Sequence, residues 1–559
     1  MAAHDQDKPQ PDHPDPDHAE RDHSEPEERD LARPARLVAA VTLISRLFGL
    51  ARDLILVRVF GDTAVGSAFN AAFALPNIFR RLFGEGALSA AVIPVYARLV
   101  EHDDPKRHDL AGVLVAALAL ITALLTLAIE AALWLWLQSA GPADERTLSL
   151  ELLMLAAPFM PLVCTAATIG GMLQVHGRFL PAAASPIALN TCVIAAGLAA
   201  LLTDTEPEAG ARWVTAAVVL AGVIQAAWAL AELGRRVNWS FVASRARGPL
   251  AEIRRVFLPA LVGLGTLQLS TAIDVVIAMS PVWFGDTVLG APLPLDEASN
   301  AILSFTQRLY QFPLGVFGIA VATVAFPALS KDAHNDRRFA DTLARGIRLS
   351  VFIALPAAAG LALIAQDLTA VLFSGGSTGF SDDGVDRATT VLRCYALGVA
   401  AYSLNQILTR AFYARGDTRT PMRVSLAMLG LNLALNLTLI WPLREAGLAA
   451  ATAIAAFAQT AALALLLRKR LARPTDAENR ATAPALTTPV LSGRAFTRPA
   501  LTTAAMCVPV AACLFFFPAE TWWAHAARLA AAVTLGAITY LLLNRRAPEL
   551  RALLARKTA

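Results

Sequence analysis

The sequence has few charged residues for its length. Asp, Glu, Lys and Arg make up 16% of the 559 residues, whereas soluble domains usually carry about 25%. Hydrophobic residues make up 56% of the chain, and its mean hydropathy is +0.52. So few charges cannot cover a water-facing surface of this size, which argues against a soluble enzyme, a disordered chain and a nucleic-acid-binding protein.

Cysteine and catalytic motifs are also scarce. The five cysteines lie inside apolar stretches and form no C-x-x-C pair, so we interpret them as packing residues rather than disulfides or metal ligands. The sequence contains no G-x-x-x-x-G-K-[ST] and no H-E-x-x-H motif, which argues against a fused ATPase and a zinc protease. We therefore predict no catalytic residue, no bound metal and no cofactor.

Long hydrophobic runs, by contrast, recur along most of the chain. Each is about 20 residues long, the length of helix that crosses a hydrocarbon core of about 30 Å. They predict an all-α polytopic membrane protein with 14 transmembrane helices. The predicted spans are 37–60, 67–98, 111–137, 149–173, 182–203, 213–233, 256–282, 298–328, 347–373, 387–413, 422–442, 447–467, 500–517 and 525–544.

Lys and Arg are concentrated in alternate loops between these spans. The basic loops are 98–108, 235–255, 331–345, 415–419 and 468–498, together with the tail after residue 545. The opposite loops contain few basic residues and several acidic ones. Because basic loops stay on the cytoplasmic side of a membrane, we predict that both chain termini are cytoplasmic.

Polar segments at the ends of the chain and before the last two spans complete the predicted organisation. The first 30 residues contain eleven acidic and three basic residues and almost no large apolar side chain, so we predict that they are disordered. The predicted segments are an acidic cytoplasmic tail at 1–35, a six-helix block at 36–235, helices seven to twelve at 236–470, a cytoplasmic linker at 471–498, helices thirteen and fourteen at 499–545, and a basic cytoplasmic tail at 546–559.

The first two predicted spans carry charged side chains: Arg46, Arg52, Asp53, Arg80, Arg81 and Glu85. Those in mid-span would cost on the order of 10 kcal/mol if they faced lipid, so they must line a cavity or pair with one another. One interpretation is an internal set of salt bridges with no ligand. The other is an anion site, because a guanidinium group binds phosphate through two parallel hydrogen bonds.

The second and eighth predicted spans contain residues that interrupt helices. Pro76 lies in the middle of span two, where Gly84 and Gly86 flank the acidic residue, and Pro313 and Gly315 lie in span eight. Proline removes a backbone hydrogen bond, so we predict hinges at these five positions. Paired interrupted helices are typical of transporter binding sites.

Span eight also has polar side chains at three- and four-residue spacing, on one helical face: Asn300, Ser304, Gln307, Arg308 and Gln311. Such a face can hold helices together by hydrogen bonds alone. The arginine is harder to explain that way, so we predict that this face lines a substrate cavity together with the arginines of spans one and two.

A further group of polar residues within the predicted spans consists of one acid, Asp274, and three uncharged side chains of later spans, Asn432, Asn436 and Thr452. Carboxylate, amide and hydroxyl oxygens suit a small cation such as sodium. Interhelical hydrogen bonds would explain the same residues without an ion, and both interpretations stay open. The sequence also leaves open whether sodium or chloride is a coupling ion.

Several long motifs in consistent order resemble the MurJ/MviN family of lipid II flippases. The matching segments are SRLFGLARD at 45–53, LPNIFRRLFGEGALS at 75–89, IPVY at 93–96, QRLYQFPLGVFGIAVATVAFPALS at 307–330, AFYARGDTRTP at 411–421 and NLALN at 432–436. The resemblance implies a transporter of the multidrug/oligosaccharidyl-lipid/polysaccharide exporter superfamily in the bacterial cytoplasmic membrane. Its fold would have two six-helix lobes around a central cationic cavity, plus two helices that form a groove for a lipid tail.

The same resemblance implies a substrate and site residues. The substrate would be lipid II, the undecaprenyl-pyrophosphoryl peptidoglycan precursor, with membrane lipids and other cell-wall synthesis proteins as partners. The family's important charged positions match Arg46, Arg52, Arg80, Arg308, Asp53 and Glu85. Many relatives carry an acid where this chain has Ser67 and a basic residue where it has Ala74, so a gating pair at those positions cannot be carried over.

Three alternatives compete with a lipid II flippase. The nearest is another exporter of the same superfamily, carrying an O-antigen or capsule lipid, or a drug in exchange for a cation. A membrane-embedded glycosyltransferase would need a donor-binding loop, and the loops here look too short. A scaffold for cell-wall enzymes would leave the buried charges without a purpose.

Overall fold

The computed structural model of the chain is an almost wholly helical bundle. It describes residues 25–83, 87–139, 144–288, 290–314, 319–375, 379–471 and 494–555. Within these ranges the strands are β1 (Thr287–Val288) and β2 (Ala291–Pro292), which pair antiparallel in a short exposed hairpin. The predicted all-α fold class is confirmed.

The first part of the chain forms helices α1 (Glu25–Phe60), α2 (Ala64–Phe83), α3 (Ala87–Glu101), α4 (Lys106–Ser139), α5 (Asp144–Ala156), α6 (Phe159–Val175), α7 (Leu180–Leu202) and α8 (Pro207–Gly234). The next part forms α9 (Ala243–Ala278), α10 (Ser280–Phe284), α11 (Ser299–Pro313), α12 (Ile319–Lys331), α13 (Asp336–Leu363) and α14 (Ala365–Phe373). The last part forms α15 (Asp382–Ala414), α16 (Arg419–Leu443), α17 (Glu445–Leu471), α18 (Arg494–Phe516), α19 (Trp522–Leu543) and α20 (Pro548–Ala555).

Both chain ends contain more helix than the sequence suggests. Helix α1 begins at Glu25 and so extends into the segment predicted to be a disordered tail, 1–35. The residues from 25 to 36 include three Glu, three Arg and two Ala, which favour helix, and Pro26 lies in the first turn, where proline is tolerated, although Pro34 lies within the helix. Helix α20 lies in the predicted basic tail. The rest of the acidic tail, residues 1–24, lies outside the described residues. Most of the linker, residues 472–493, also lies outside them.

Apolar helices dominate the bundle. Within the part of the chain that the structure describes, nine helical segments are long and apolar enough to cross a membrane by length and composition. They correspond to predicted spans three to six, nine, and eleven to fourteen. The other predicted spans fall on α1, α2 with α3, α9 with α10, α11 with α12, and α15, most of which are divided or carry charges. A multi-pass membrane protein is thus confirmed, while the count of fourteen spans, the lobe boundaries and the side of each terminus stay predictions.

The packing of the helices brings the polar faces of α1, α2 and α11 together. Helix α2 contacts α5, α6, α9 and α11, and α1 packs along α7. Helix α11 in turn packs on α15, which is also in contact with α13 and α17. Helices far apart in the sequence therefore meet around the middle of the bundle, where the candidate site lies.

The last two long helices, α18 and α19, pack on each other and on α13 and α14. A buried acid fixes this pair, since Asp367 of α14 is only 1% exposed. Arg528 of α19 donates to both of its carboxylate oxygens, with Nη2–Oδ1 at 2.7 Å and Nε–Oδ2 at 2.9 Å. His525 Nδ1 lies 2.6 Å from the same Oδ1. The C-terminal pair is therefore joined to the bundle by a hydrogen-bonded ion pair as well as by apolar contact.

Candidate functional site

A cavity of about 750 Å³ lies between helices of the first and second parts of the chain. Its wall is formed by residues of α1, α2, α6, α7, α8, α9, α11 and α14. The charged residues of this wall, within the described ranges, are five arginines and one aspartate: Arg46, Arg52, Arg80, Arg81, Arg308 and Asp53. The wall therefore has an excess of positive charge, as an anion site requires.

Asp53 lies at the centre of this charged group. Arg52 donates to Asp53 Oδ1 from Nε at 2.9 Å and from Nη2 at 2.7 Å, and Arg308 of α11 donates to the same oxygen from Nη1. The side chain of Arg52 is 15% exposed, that of Asp53 is 18% exposed and that of Arg308 is 23% exposed, so all three can be reached from the cavity. One carboxylate thus holds two arginines from distant parts of the sequence side by side.

Asparagines hold the outer edges of the same arginines. Arg52 Nη1 donates to Oδ1 of Asn190 at 3.0 Å, and Arg308 Nη2 donates to Oδ1 of Asn70 at 3.0 Å. In the same way, Arg80 Nε donates to Oδ1 of Asn77, three residues earlier on α2, at 3.0 Å. All three asparagines line the cavity. Sequence reasoning missed them, because a single asparagine in an apolar helix has no spacing signal of its own.

The predicted polar face of α11 is present over most of its length. Ser304, Gln307, Arg308 and Gln311 all line the cavity, because spacings of three and four residues repeat once per helical turn. Asn300, which the sequence placed on this cavity face, does not line the cavity. It lies a full turn before Ser304 and is buried between helices instead.

Contacts beyond the cavity tie the first helices to later ones. Asn300 Nδ2 donates to the carbonyl of Ser67 at 2.8 Å, and the amide of Ala301 donates to Ser67 Oγ at 2.9 Å, which joins α2 to α11. Asp62, in the turn between α1 and α2, accepts from the amide of Ser381 at 2.9 Å and from its Oγ at 2.5 Å. Ser67 thus makes uncharged contacts, while Ala74 lines the cavity.

The predicted hinge residues fall in different places. Helix α2 continues through Pro76 to Phe83, so this proline does not end the helix. Pro313 is the last residue of α11. Gly84, Glu85, Gly86 and Gly315 lie outside the described residues.

The four residues of the candidate cation group come together between α9, α16 and α17. Asn436 Nδ2 donates to Asp274 Oδ1 at 2.7 Å and to Asn432 Oδ1 at 3.3 Å, and Asn432 Nδ2 donates to Thr452 Oγ1 at 3.4 Å. Asp274 is 9% exposed, and Asn436 Oδ1 is buried without a hydrogen-bond partner. The interhelical hydrogen bonds that the sequence allowed are therefore present, together with an acceptor oxygen that they leave unsatisfied.

A second ionic group, which sequence reasoning missed, lies where α15 and α17 begin. Arg387 donates to Asp296 Oδ1 at 2.8 Å and to Glu445 Oε1 at 2.8 Å, and Arg444 also donates to Asp296. Burial alone would raise the pKa of Asp296, but the bonds and charges of Arg387 and Arg444, with a bond from Ser299, hold this pKa below its usual value. Asp296 therefore stays ionised at neutral pH and links the loop before α11 to α15 and α17.

The described fold and cavity define a class of protein. A multi-pass helical bundle with charged side chains around an internal cavity is typical of a membrane transporter. Several solved structures share this fold, among them the following two. One, described as lipid II flippase MurJ in an inward closed conformation, has a TM-score of 0.73 and 19% identity, covering 91% of this chain and 99% of that chain. The other, an inward-facing multidrug resistance MATE family transporter of the MOP superfamily, has a TM-score of 0.63 and 15% identity over 81% and 99%.

Sequence comparison identifies the family. The model of the family described as "Lipid II flippase MurJ" matches residues 56–493. A probable lipid II flippase MurJ of Vibrio cholerae is 33% identical over 455 residues, covering 78% of this chain and 82% of that protein. The corresponding protein of Rhizobium tropici is 32% identical over 446 residues, covering 78% and 80%. The chain belongs to the MurJ family of lipid II flippases, which confirms the family resemblance seen in the sequence.

Proposed function

We propose that this protein moves lipid II from the inner to the outer leaflet of the bacterial cytoplasmic membrane, and that its arginine-lined cavity binds the pyrophosphate group. The observation that carries the proposal is the cavity wall itself, to which the described part of the chain contributes five arginines and one aspartate. Family membership favours lipid II among the substrates that a cationic cavity suits.

The geometry of the arginines fits a pyrophosphate. Arg52 and Arg308 lie side by side on Asp53, so their remaining N–H groups can face one ligand. A guanidinium group donates two parallel hydrogen bonds to a phosphate and stays charged at physiological pH. We propose that Arg46, Arg80 and Arg81 add positive charge along the same wall. The polyprenyl tail would remain in lipid, because burying it in a polar cavity would lose its apolar contacts.

Transport by alternating access requires the cavity to open to each side of the membrane in turn. The contacts that would break are those of Ser67 with Asn300 and Ala301, and those of Asp62 with Ser381. None of these contacts is a salt bridge between two charged side chains, so each costs little to exchange for water. Membrane potential would give direction, since each negative charge that moves outward gains about 2.3 kcal/mol per 100 mV.

We further propose that a sodium ion is coupled to this cycle at Asp274. The oxygens available are those of Asp274, Asn432, Asn436 and Thr452, and the unsatisfied Oδ1 of Asn436 supports the proposal. Sodium would be bound by replacing hydrogen bonds among these side chains with oxygen–cation contacts.

Replacing Asp274 by asparagine is expected to remove any sodium dependence of lipid II transport while leaving the helices packed. The substitution keeps the shape and one acceptor oxygen but removes the negative charge that attracts the cation. The measurement is transport in vesicles containing sodium, potassium or choline salts at equal ionic strength. Sodium stimulation of transport that is equal in the wild type and the Asp274→Asn variant would contradict a sodium site at Asp274.

The proposed function is tested by purified protein in vesicles with lipid II in the inner leaflet only. Vesicles with the protein should expose lipid II to an impermeant reagent outside faster than vesicles without it. The same vesicles with an O-antigen lipid or a cationic drug test the related exporters. Exposure of lipid II at the protein-free rate would contradict a lipid II flippase.

A further inference from the structure

Two asparagines bind the central arginines, Arg52 and Arg308, through nitrogen atoms that do not donate to Asp53. Asn190 of α7 and Asn70 of α2 are each 4% exposed, and each accepts a hydrogen bond from one arginine. They lie 138 and 238 residues from the arginines that they contact. Both contacts join different helices, so they fix the guanidinium groups relative to the whole bundle.

The orientation of each asparagine is set by its own amide group. Asn70 Nδ2 donates to the carbonyl of Gly66 at 2.9 Å, and Asn190 Nδ2 donates to the carbonyl of Ser45 at 3.3 Å. With the NH₂ group held by a backbone carbonyl, the side-chain oxygen must face the arginine. An aspartate could accept the same bond from the arginine, but its second oxygen would face a carbonyl and repel it.

The acceptor is neutral, and that matters for an anion site. A carboxylate at either position would form an ion pair with its arginine and cancel a charge that the ligand needs. The cavity already contains one such carboxylate, Asp53, shared by both arginines. Two amide acceptors orient the outer edges of the arginines without adding negative charge.

We propose that Asn70 and Asn190 are positioning residues that aim Arg308 and Arg52 at the pyrophosphate while leaving their positive charge uncancelled, and that they thereby set the preference of the cavity for a diphosphate. This inference rests on the proposed function, in which the arginines bind that group. The asparagines act through the arginines and need no contact with the substrate.

The test compares aspartate with alanine at each position. The variants are Asn70→Asp, Asn70→Ala, Asn190→Asp and Asn190→Ala, each purified and tested for binding of lipid II and of undecaprenyl phosphate at low and high salt. The matched control is Asn405→Asp. Asn405 is also buried and donates to a backbone carbonyl, that of Ala456 at 3.1 Å, but it does not line the cavity. Thermal stability is measured for every variant.

The aspartate variants are expected to bind lipid II about tenfold more weakly than the wild type, or worse, because each cancels one cavity charge. The alanine variants should lose about threefold, since they release the arginine but keep its charge. The two aspartate variants should also show a weaker salt dependence and a smaller preference for the diphosphate over the monophosphate. Asn405→Asp should bind lipid II within about twofold of the wild type, whatever its stability.

A purely structural role for the asparagines predicts a different pattern. Alanine leaves a gap and aspartate places an oxygen against a backbone carbonyl, so both would then weaken binding only in step with a loss of thermal stability, and neither would change the salt dependence or the preference for the diphosphate. Alanine variants that bind as weakly as the aspartate variants, or aspartate variants with wild-type binding, would overturn the inference. Failure of the wild type to bind lipid II would instead overturn the proposed function.

Discussion

Replacing Arg308 by alanine is expected to abolish lipid II transport while leaving a folded protein in the membrane. The substitution removes a guanidinium group that donates to Asp53 and Asn70 and that faces the cavity. In a complex, removing one partner of a buried, hydrogen-bonded charge pair costs about 2–5 kcal/mol of binding free energy. For the pair that Arg308 would form with the pyrophosphate, this corresponds to a loss of lipid II affinity of roughly 30-fold to several thousand-fold. Transport should be measured in vesicles and by rescue of cells depleted of their own flippase.

Two further variants separate the role of Arg308 from general damage. Arg308→Lys keeps the charge but not the planar pair of donors, so we expect it to retain only a small part of the activity. Arg423→Ala removes an exposed arginine outside the cavity and should transport lipid II as the wild type does. Full export of lipid II by Arg308→Ala would refute a direct role in holding phosphate.

The largest effect on stability is expected for Asp367→Ala. This change leaves Arg528, which is 12% exposed, without the carboxylate to which it donates. Breaking a buried ion pair by removing one partner costs about 3–5 kcal/mol, because the remaining charge stays buried without compensation. We therefore expect a clear drop in the melting temperature of the purified protein.

The double variant Asp367→Ala with Arg528→Leu is the matched control. It removes both charges, and apolar replacement of a whole buried pair is often neutral, so most of the lost stability should return. A double variant as unstable as the single one would mean that the contact between α14 and α19 depends on packing rather than on charge.

The charged residues of the cavity could be predicted from the sequence because their cost in lipid is high. Inside apolar runs, Arg52, Asp53 and Arg308 are stable only beside water or an opposite charge, and the structure places all three on one cavity wall. The helical face of α11 followed from spacing alone. The apolar spans followed from length and composition in the same way.

The partners of these residues could not be predicted, because they depend on which helices meet. Asn70 and Asn190 contact arginines more than a hundred residues away, and nothing in their local sequence marks them. Asn300 was misplaced because a repeat of three and four residues gives the side of a helix but not where the cavity ends. The Asp296–Arg387–Glu445 group likewise joins three separate segments.

Helix α14 is only nine residues long, yet it has two neighbours that matter. Leu368 and Leu372 form part of the cavity wall, while the adjacent Asp367 is bonded to α19. One short helix therefore connects the cavity wall directly to the C-terminal helix pair. If α14 tilts when the cavity binds a ligand, then either α19 must move with it through the surrounding lipid or the ion pair between Asp367 and Arg528 must break.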